Sequence, residues 1–146
     1  MMNLSTRMRY GTRALIDLAR RYDQGPISAR DIAGRQNISA KYLEQLLSAL
    51  NGAGLVRSVR GPRGGHMLAH PPDEINLRQV FDALEGFGGA PPNEDGGGVT
   101  ADARAETELW TRMMAACIRV LESTTLRDLA DRAHEIEASS AAMYHI

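Results

Sequence analysis

Thiol chemistry is nearly absent from this sequence: its 146 residues include one cysteine, Cys117. An internal disulfide is excluded, and so is a cluster or zinc site built from several of the chain's own thiolates. A reduced, cytoplasmic protein is the expectation. No run approaches the roughly 18 apolar residues of a membrane helix. The opening MMNLSTRMRYGTRAL has no long apolar stretch and no small-residue cleavage site, so no secretory segment and no membrane partner are expected. Internal repeats are absent. No nucleophile is paired with a base, no residues have metal-ligand spacing, and no phosphate loop stands at a strand–helix junction. The chain is therefore not expected to be an enzyme.

What is present is an ordinary globular composition, 43% apolar and 24% charged, at about one domain's length. The net charge of −1 conceals a strong asymmetry. Residues 1–70 carry 11 basic and 4 acidic side chains, a balance of +7; residues 71–146 carry 6 and 14, a balance of −8. A basic half joined to an acidic half suggests a polyanion-binding module attached to one with another task. The plainer alternative is two solvated surfaces.

Thr6–Tyr22 reads as a first helix, with Leu15, Leu18, Ala19 and Tyr22 at helical spacing. Asp23-Gln24-Gly25-Pro26 ends it. Arg7, Arg9 and Arg13 lie at its N-terminal end, where the helix dipole does not favour cations. A bound anion would explain them. Three further helix starts share one grammar, an apolar residue, a polar cap and an apolar partner: Ile27-Ser28 with Ile32, Ile38-Ser39 with Leu43, and Ile75-Asn76 with Val80. Helices over 29–36 and 40–51 follow, separated only by Asn37 to Ser39, the short turn of a helix-turn-helix. Leu43, Leu46, Leu47 and Leu50 give the second of these an apolar face. Lys41, Glu44, Gln45 and Ser48 remain on the other side, suited to bases and phosphates or simply to water.

Leu55–Arg60 reads as a strand, Gly61-Pro62-Arg63-Gly64-Gly65 as a turn, and His66–His70 as a returning strand. A helix-turn-helix followed by a hairpin is a winged helix. Its tip sets Arg60 and Arg63 among glycines, where backbone and guanidinium can both approach a duplex. Leu77, Val80, Phe81 and Leu84 form a short closing helix. Residues 87–103, rich in Gly, Pro and acid, read as a flexible loop. A long helix follows over about 104–123, with the stripe Leu109, Met113, Ala116, Cys117, Val120 and Leu121. Thr125 caps a last helix bearing Leu126, Leu129, Ala130, Ala133 and Ile136, and the final ASSAAMYHI is expected to fray. Two helices beyond such a loop bury little alone. Their stripe is expected to pack on a second copy; folding back onto the winged body is the alternative.

The segment Ile38–Glu85 closely resembles the Rrf-two family of bacterial winged-helix regulators. Matching motifs are Tyr42-Leu43-Glu44-Gln45-Leu46, Gly54-Leu55-Val56, Ser58-Val59-Arg60-Gly61-Pro62 with Gly64-Gly65, and Ala83-Leu84-Glu85-Gly86. Trp110 and Thr125-Leu126-Arg127-Asp128-Leu129 match the family's dimerisation region. The resemblance implies a mainly α fold with a β-hairpin wing: a winged helix-turn-helix over 1–86 and C-terminal dimerisation helices over 104–146. It also implies a homodimeric transcription factor, usually a repressor, on a palindromic operator of double-stranded DNA. Carried over by position, Lys41 and Glu44 face bases, Arg60 and Pro62 meet the minor groove, and Tyr42 contacts phosphate or supports its helix. With the basic and capping residues around them, the candidate DNA-contacting set is Arg7, Ser28, Ser39, Lys41, Tyr42, Glu44, Gln45, Arg57, Arg60, Pro62, Arg63 and His66. The candidate dimer face is Leu109, Trp110, Met113, Ala116, Cys117, Val120 and Leu121.

The sequence departs from the resemblance at one functional place. Cluster-binding members carry three cysteines in the loop before the dimerisation helix. In one branch the last lies six residues before the tryptophan, with a histidine ligand three residues later. Those positions here are Arg104 and Thr107, and residues 86–103 contain neither Cys nor His. No iron–sulfur cofactor is expected. Cys117 reads as a small apolar residue on the stripe or as a redox thiol pairing across the dimer axis. His66, where relatives place a tyrosine, either touches phosphate or packs on the hairpin. Regulation is then expected to come from a small-molecule or protein effector. The competing function is a protein-interaction module, acting through the acidic half, with DNA binding secondary.

Overall fold

The computed structural model describes residues 4–86 and 99–143. Along the chain run α1 (Thr6–Arg20), α2 (Ala29–Gln36), α3 (Ala40–Gly52), β1 (Val56–Val59), β2 (Gly65–Leu68), α4 (Leu77–Leu84), α5 (Ala101–Ser123) and α6 (Leu126–Met143). The fold is mainly helical with one antiparallel hairpin, as the pattern predicts.

The helix starts follow from their caps. The hydroxyls of Ser28 and Ser39 accept from the backbone N–H of Asp31 and Tyr42 at 3.1 and 3.2 Å. Asn76 and Gln79 close a reciprocal capping box. Each satisfies donors that a helix start leaves unpaired. Several boundaries differ from the expectation: α3 runs to Gly52 rather than 51, β1 is Val56–Val59 rather than Leu55–Arg60, and β2 is Gly65–Leu68 rather than His66–His70. Two further differences have a clear local cause. α1 ends at Arg20, because Arg21 leaves the helical region (φ −117°, ψ 27°) and Tyr22–Gln24 form a separate 3-10 turn. α5 begins at Ala101 rather than near Arg104, because the Thr100 hydroxyl caps the Ala103 N–H. Of the expected loop over 87–103, residues 87–98 lie outside the described residues. The last residues of the expected frayed end, 144–146, lie outside them too; α6 is helical to Met143.

One core holds the winged body. The apolar faces of α1 (Leu15, Leu18), α2 (Ile32) and α3 (Leu43, Leu46, Leu47, Leu50) meet under the hairpin and α4. α1 and α4 approach closely at Gly11, where an added Cβ would stand 2.4 Å from a methyl of Leu84. Asn37, the one non-glycine residue with positive φ among the described residues (54°), turns the chain from α2 into α3.

The last helix corrects the expectation that both C-terminal helices seek a second copy. Leu126 and Ala130 of α6 are buried in the same core as α1 and α4. The entry of α6 is stitched to that of α4, with the Leu126 N–H donating to the Ile75 carbonyl and the Leu77 N–H to the Thr124 carbonyl, both at 2.9 Å. These backbone bonds fix where α6 starts, so its apolar stripe falls on the winged body. α5 behaves otherwise. None of its 23 residues is buried, although Leu121 packs at the core's edge.

Candidate nucleic-acid interface

The turn between α2 and α3 presents α3 with its polar side out. Leu43, Leu46, Leu47 and Leu50 are buried, while Lys41, Glu44, Gln45 and Ser48 are exposed. Tyr42 is half-buried and meets Tyr10 of α1 edge to face, with ring centroids 6.1 Å apart. Arg13 lies over the other ring, 5.1 Å from the Tyr10 centroid, and donates to the Gln36 carbonyl at the end of α2. Aromatic pairing and a cation over the ring thus brace α3 against α1.

The wing is equally braced. In the hairpin register Ser58 faces His66 and Val59 faces Gly65. The Ser58 hydroxyl lies 3.2 Å from His66 Nδ1 and accepts from Asn51 Nδ2, at the end of α3, at 3.3 Å. His66 also exchanges two backbone bonds with Ile27 just before α2, at 2.9 and 2.7 Å. That contact requires glycine beside it. Gly65 has φ 159°, and a Cβ there would lie 2.4 Å from the Ile27 carbonyl oxygen. The hairpin is therefore tied to both helices of the helix-turn-helix. Its tip carries Arg60, Pro62 and Arg63, and Arg57 stands on β1 opposite Met67; all four are exposed.

Among the described residues, Lys41, Arg57, Arg60 and Arg63 form no ion pair; Arg20, Arg21, Arg35, Arg78, Arg127 and Arg132 do, while Arg7, Arg9, Arg13, Arg30, Arg104, Arg112 and Arg119 do not, so what marks the first four is their shared place on α3 and the wing. Their charge is uncompensated among the described residues. Arg7, placed with them by the sequence, has a structural partner: its Nε donates to the Leu84 carbonyl at 3.2 Å. Of the three arginines at the N-terminal end of α1, Arg7 and Arg13 thus donate to backbone carbonyls.

Sequence reasoning missed the cluster that joins α1 to α2. Asp17 is fully buried. Arg35 grips its carboxylate with two bonds of 2.9 and 2.8 Å, Gln36 Nε2 donates at 3.0 Å, and Arg21 Nη1 stands 3.4 Å away. Burial alone would raise the pKa. The hydrogen bonds from Arg35 and Gln36, with the charges of Arg21 and Arg35, outweigh it and hold the carboxyl below the usual value. The signal was available: Asp17 stands three residues after Ala14 and one before Leu18, on the buried face of α1.

The candidate dimer face is open in the single chain. Leu109, Trp110 and Val120 are 53, 49 and 63% exposed. Ala116 is exposed, and Met113, Cys117 and Leu121 are half-buried. Trp110 Nε1 donates to Glu106 at 2.9 Å, so its polar atom is satisfied while its ring remains available.

The Rrf2 family model, described as an iron-dependent transcriptional regulator, matches residues 4–132. The chain belongs to the Rrf2 family. It is similar to the HTH-type transcriptional regulator CymR of Bacillus subtilis, with 43% identity over 129 residues, 88% of this chain and 90% of that one. The structure of that regulator, described as the global cysteine regulator of B. subtilis, has a TM-score of 0.77, covering 90% of this chain and 98% of the other. The structure of T. potens IscR has a TM-score of 0.78 at 36% identity, covering 92% and 90%. The winged-helix fold and a place among the transcriptional regulators are therefore shared with these Rrf2 proteins.

Proposed function

We propose that this Rrf2 protein is a sequence-specific DNA-binding repressor that grips a palindromic operator as a homodimer. The observation that carries this reading is the set of exposed, unpaired cations Lys41, Arg57, Arg60 and Arg63 on a scaffold braced at both α3 and the wing. Uncompensated charge on a rigid surface is what phosphate recognition needs, because each neutralised phosphate releases counterions. α3 enters the major groove, with Lys41, Glu44 and Gln45 toward the bases. Ser28 and Ser39 use their oxygens as caps, which leaves each hydroxyl proton free to donate to a phosphate. The wing tip meets the minor groove, whose negative potential attracts arginine. His66 holds Ser58 and the strand that carries Arg57, so its part is support of the wing. Arg60→Ala should weaken operator binding by about 1–3 kcal/mol in an electrophoretic shift titration. Unchanged affinity would overturn the wing's role.

Homodimerisation through α5 supplies the two-fold symmetry that a palindrome requires. The residues do not fit the iron–sulfur cluster known from cluster-binding relatives. A cluster takes thiolate or imidazole ligands. The one cysteine lies mid-helix on α5, Arg104 and Thr107 fill the positions where ligands would stand, and residues 86–103 offer no Cys or His. Operator binding should accordingly survive anaerobic purification, with iron and sulfide each well below one equivalent per dimer; stoichiometric iron that bleaches together with operator affinity would reverse this.

A further inference from the structure

Away from the surface assigned to DNA, a cleft of about 330 Å³ opens where the C-terminal end of α1 meets α6. Buried Ala19 and Ala130 line its floor. Arg20, Arg21 and Asp23 form one wall, and Arg127, Asp131 and His134 the other. Arg20, Arg21 and Arg127 are matched there by Asp23, Asp131 and the neighbouring Glu137, so the cleft is rich in guanidinium and imidazole hydrogen-bonding groups without being net cationic. The size suits a small metabolite, and such sites favour the junction of two structural units. An apolar ligand would gain little from so charged a wall.

The cations differ in how firmly they are held. Arg20 is engaged by Glu137 of α6. Among the described residues Arg127 is paired only with Asp131, at 3.3 Å, and both side chains are 62% exposed. An exposed pair of that kind contributes little, so an incoming anion can displace Asp131 at small cost. Arg21 reaches Asp17 through Nη1 at 3.4 Å and keeps further donors toward the cleft. A second hollow continues from Arg20 and Arg21 along α1 to Asp17 and Arg35. Arg21 thus stands between the cleft and the buried carboxylate that clamps α2 to α1.

We propose that this cleft is an effector site for a small polar ligand bearing an oxyanion group, a carboxylate or a phosphate, held by Arg21, Arg127 and His134. Binding draws the Arg21 guanidinium toward the ligand and lowers its attraction for Asp17. The Arg35–Asp17–Gln36 clamp then sets α2, and with it the helix-turn-helix, differently against α1 and α6. The effect on the operator rests on the DNA-binding reading above; the binding event does not.

The test uses the full 15N-labelled chain, titrated separately with inorganic phosphate and with malonate at constant ionic strength, with chloride as control. Arginine Nε–Hε and histidine ring signals are followed. Saturable shifts at Arg21, Arg127 and His134 are expected, and the anion that saturates at lower concentration identifies the group. Arg127→Gln and His134→Gln, at exposed positions that leave the core intact, should each weaken binding about tenfold, the loss of one charge-assisted hydrogen bond. Shifts linear in concentration and matched by chloride mean an adventitious ion only and overturn the site. Affinity unchanged in both variants overturns it as well. Saturable binding that leaves the operator titration of the parent chain unmoved overturns the effector role while keeping the site.

Discussion

α3 and α5 are both amphipathic helices, and they end in opposite circumstances. The four leucines of the α3 stripe are buried by α1, α2, α4 and the hairpin of the same chain. α5 is longer by ten residues and buries none of them. A periodic stripe states that a face will be covered, without stating by which molecule. α3 lies within a few residues of elements whose positions its own caps and turns fix. α5 follows the Gly/Pro-rich segment, and only its C-terminal end is drawn back, by Thr124 and Leu126, to the winged body. The polar side of α3 is exposed, which suits the DNA contact proposed for it. The apolar side of α5 is open in the single chain, and a second copy is the cover proposed for it.

The sharpest way to break this contrast is to place charge on the open stripe. In the double variant Leu109→Glu, Val120→Glu the two-fold axis repeats each carboxylate, so an interface through α5 must bury several unpaired charges at a cost of several kcal/mol. Sedimentation should show a monomer at concentrations where the parent is a dimer. Circular dichroism should be little changed, because neither side chain belongs to the core. An unaltered dimer with unaltered operator affinity would show that α5 is not the interface.

A smaller effect separates the clamp from the stripe. Asp17→Ala leaves Arg35 and Gln36 without their acceptor and should cost about 3 kcal/mol, the low end for breaking a buried pair because Arg35 and Arg21 can turn to solvent. The folded carboxyl titrates below its unfolded value of about 3.9. Its contribution is therefore fully present above that pH and is lost as pH falls through the folded pKa. Denaturation curves of parent and variant should differ most near neutrality and converge below about pH 4. A constant difference down to the acid limit would assign the loss to packing alone.

What the sequence made legible was local. Ser28, Ser39 and Asn76 cap as expected because a cap and its target lie three residues apart. The wing was readable because its turn glycines and its strands are contiguous. The Rrf-two motifs spanned the elements that the family model also covers. The missing parts depend on distance along the chain. Asp17 finds Arg35 only once α1 and α2 cross, and Leu126 finds Ile75 across the whole of α5 and the segment before it. The Ile27–His66 bridge that ties the wing to α2 likewise joins residues 39 apart. Helical periodicity could not choose between the core of the chain and a second copy for α6, because either cover satisfies the same stripe.

The smallest effect concerns what the open side of α3 reads. Glu44 is exposed between Lys41 and Gln45 and has no hydrogen-bond partner among the described residues. A carboxylate brought among phosphates is repelled, so its presence weakens binding to any duplex that offers it nothing. A cytosine amino group in the major groove donates a hydrogen bond to a carboxylate and recovers that loss. On the proposed DNA-binding reading, Glu44 penalises the wrong base more than it tightens the right one. Glu44→Ala should change affinity for the preferred operator by only about 1 kcal/mol, near the lower bound for one base contact. Affinity for operators altered at the facing base pair should rise. Binding-site selection with the variant should return a consensus relaxed at one position in each half-site and intact elsewhere. An unaltered consensus would make Glu44 a solvated side chain that DNA binding tolerates.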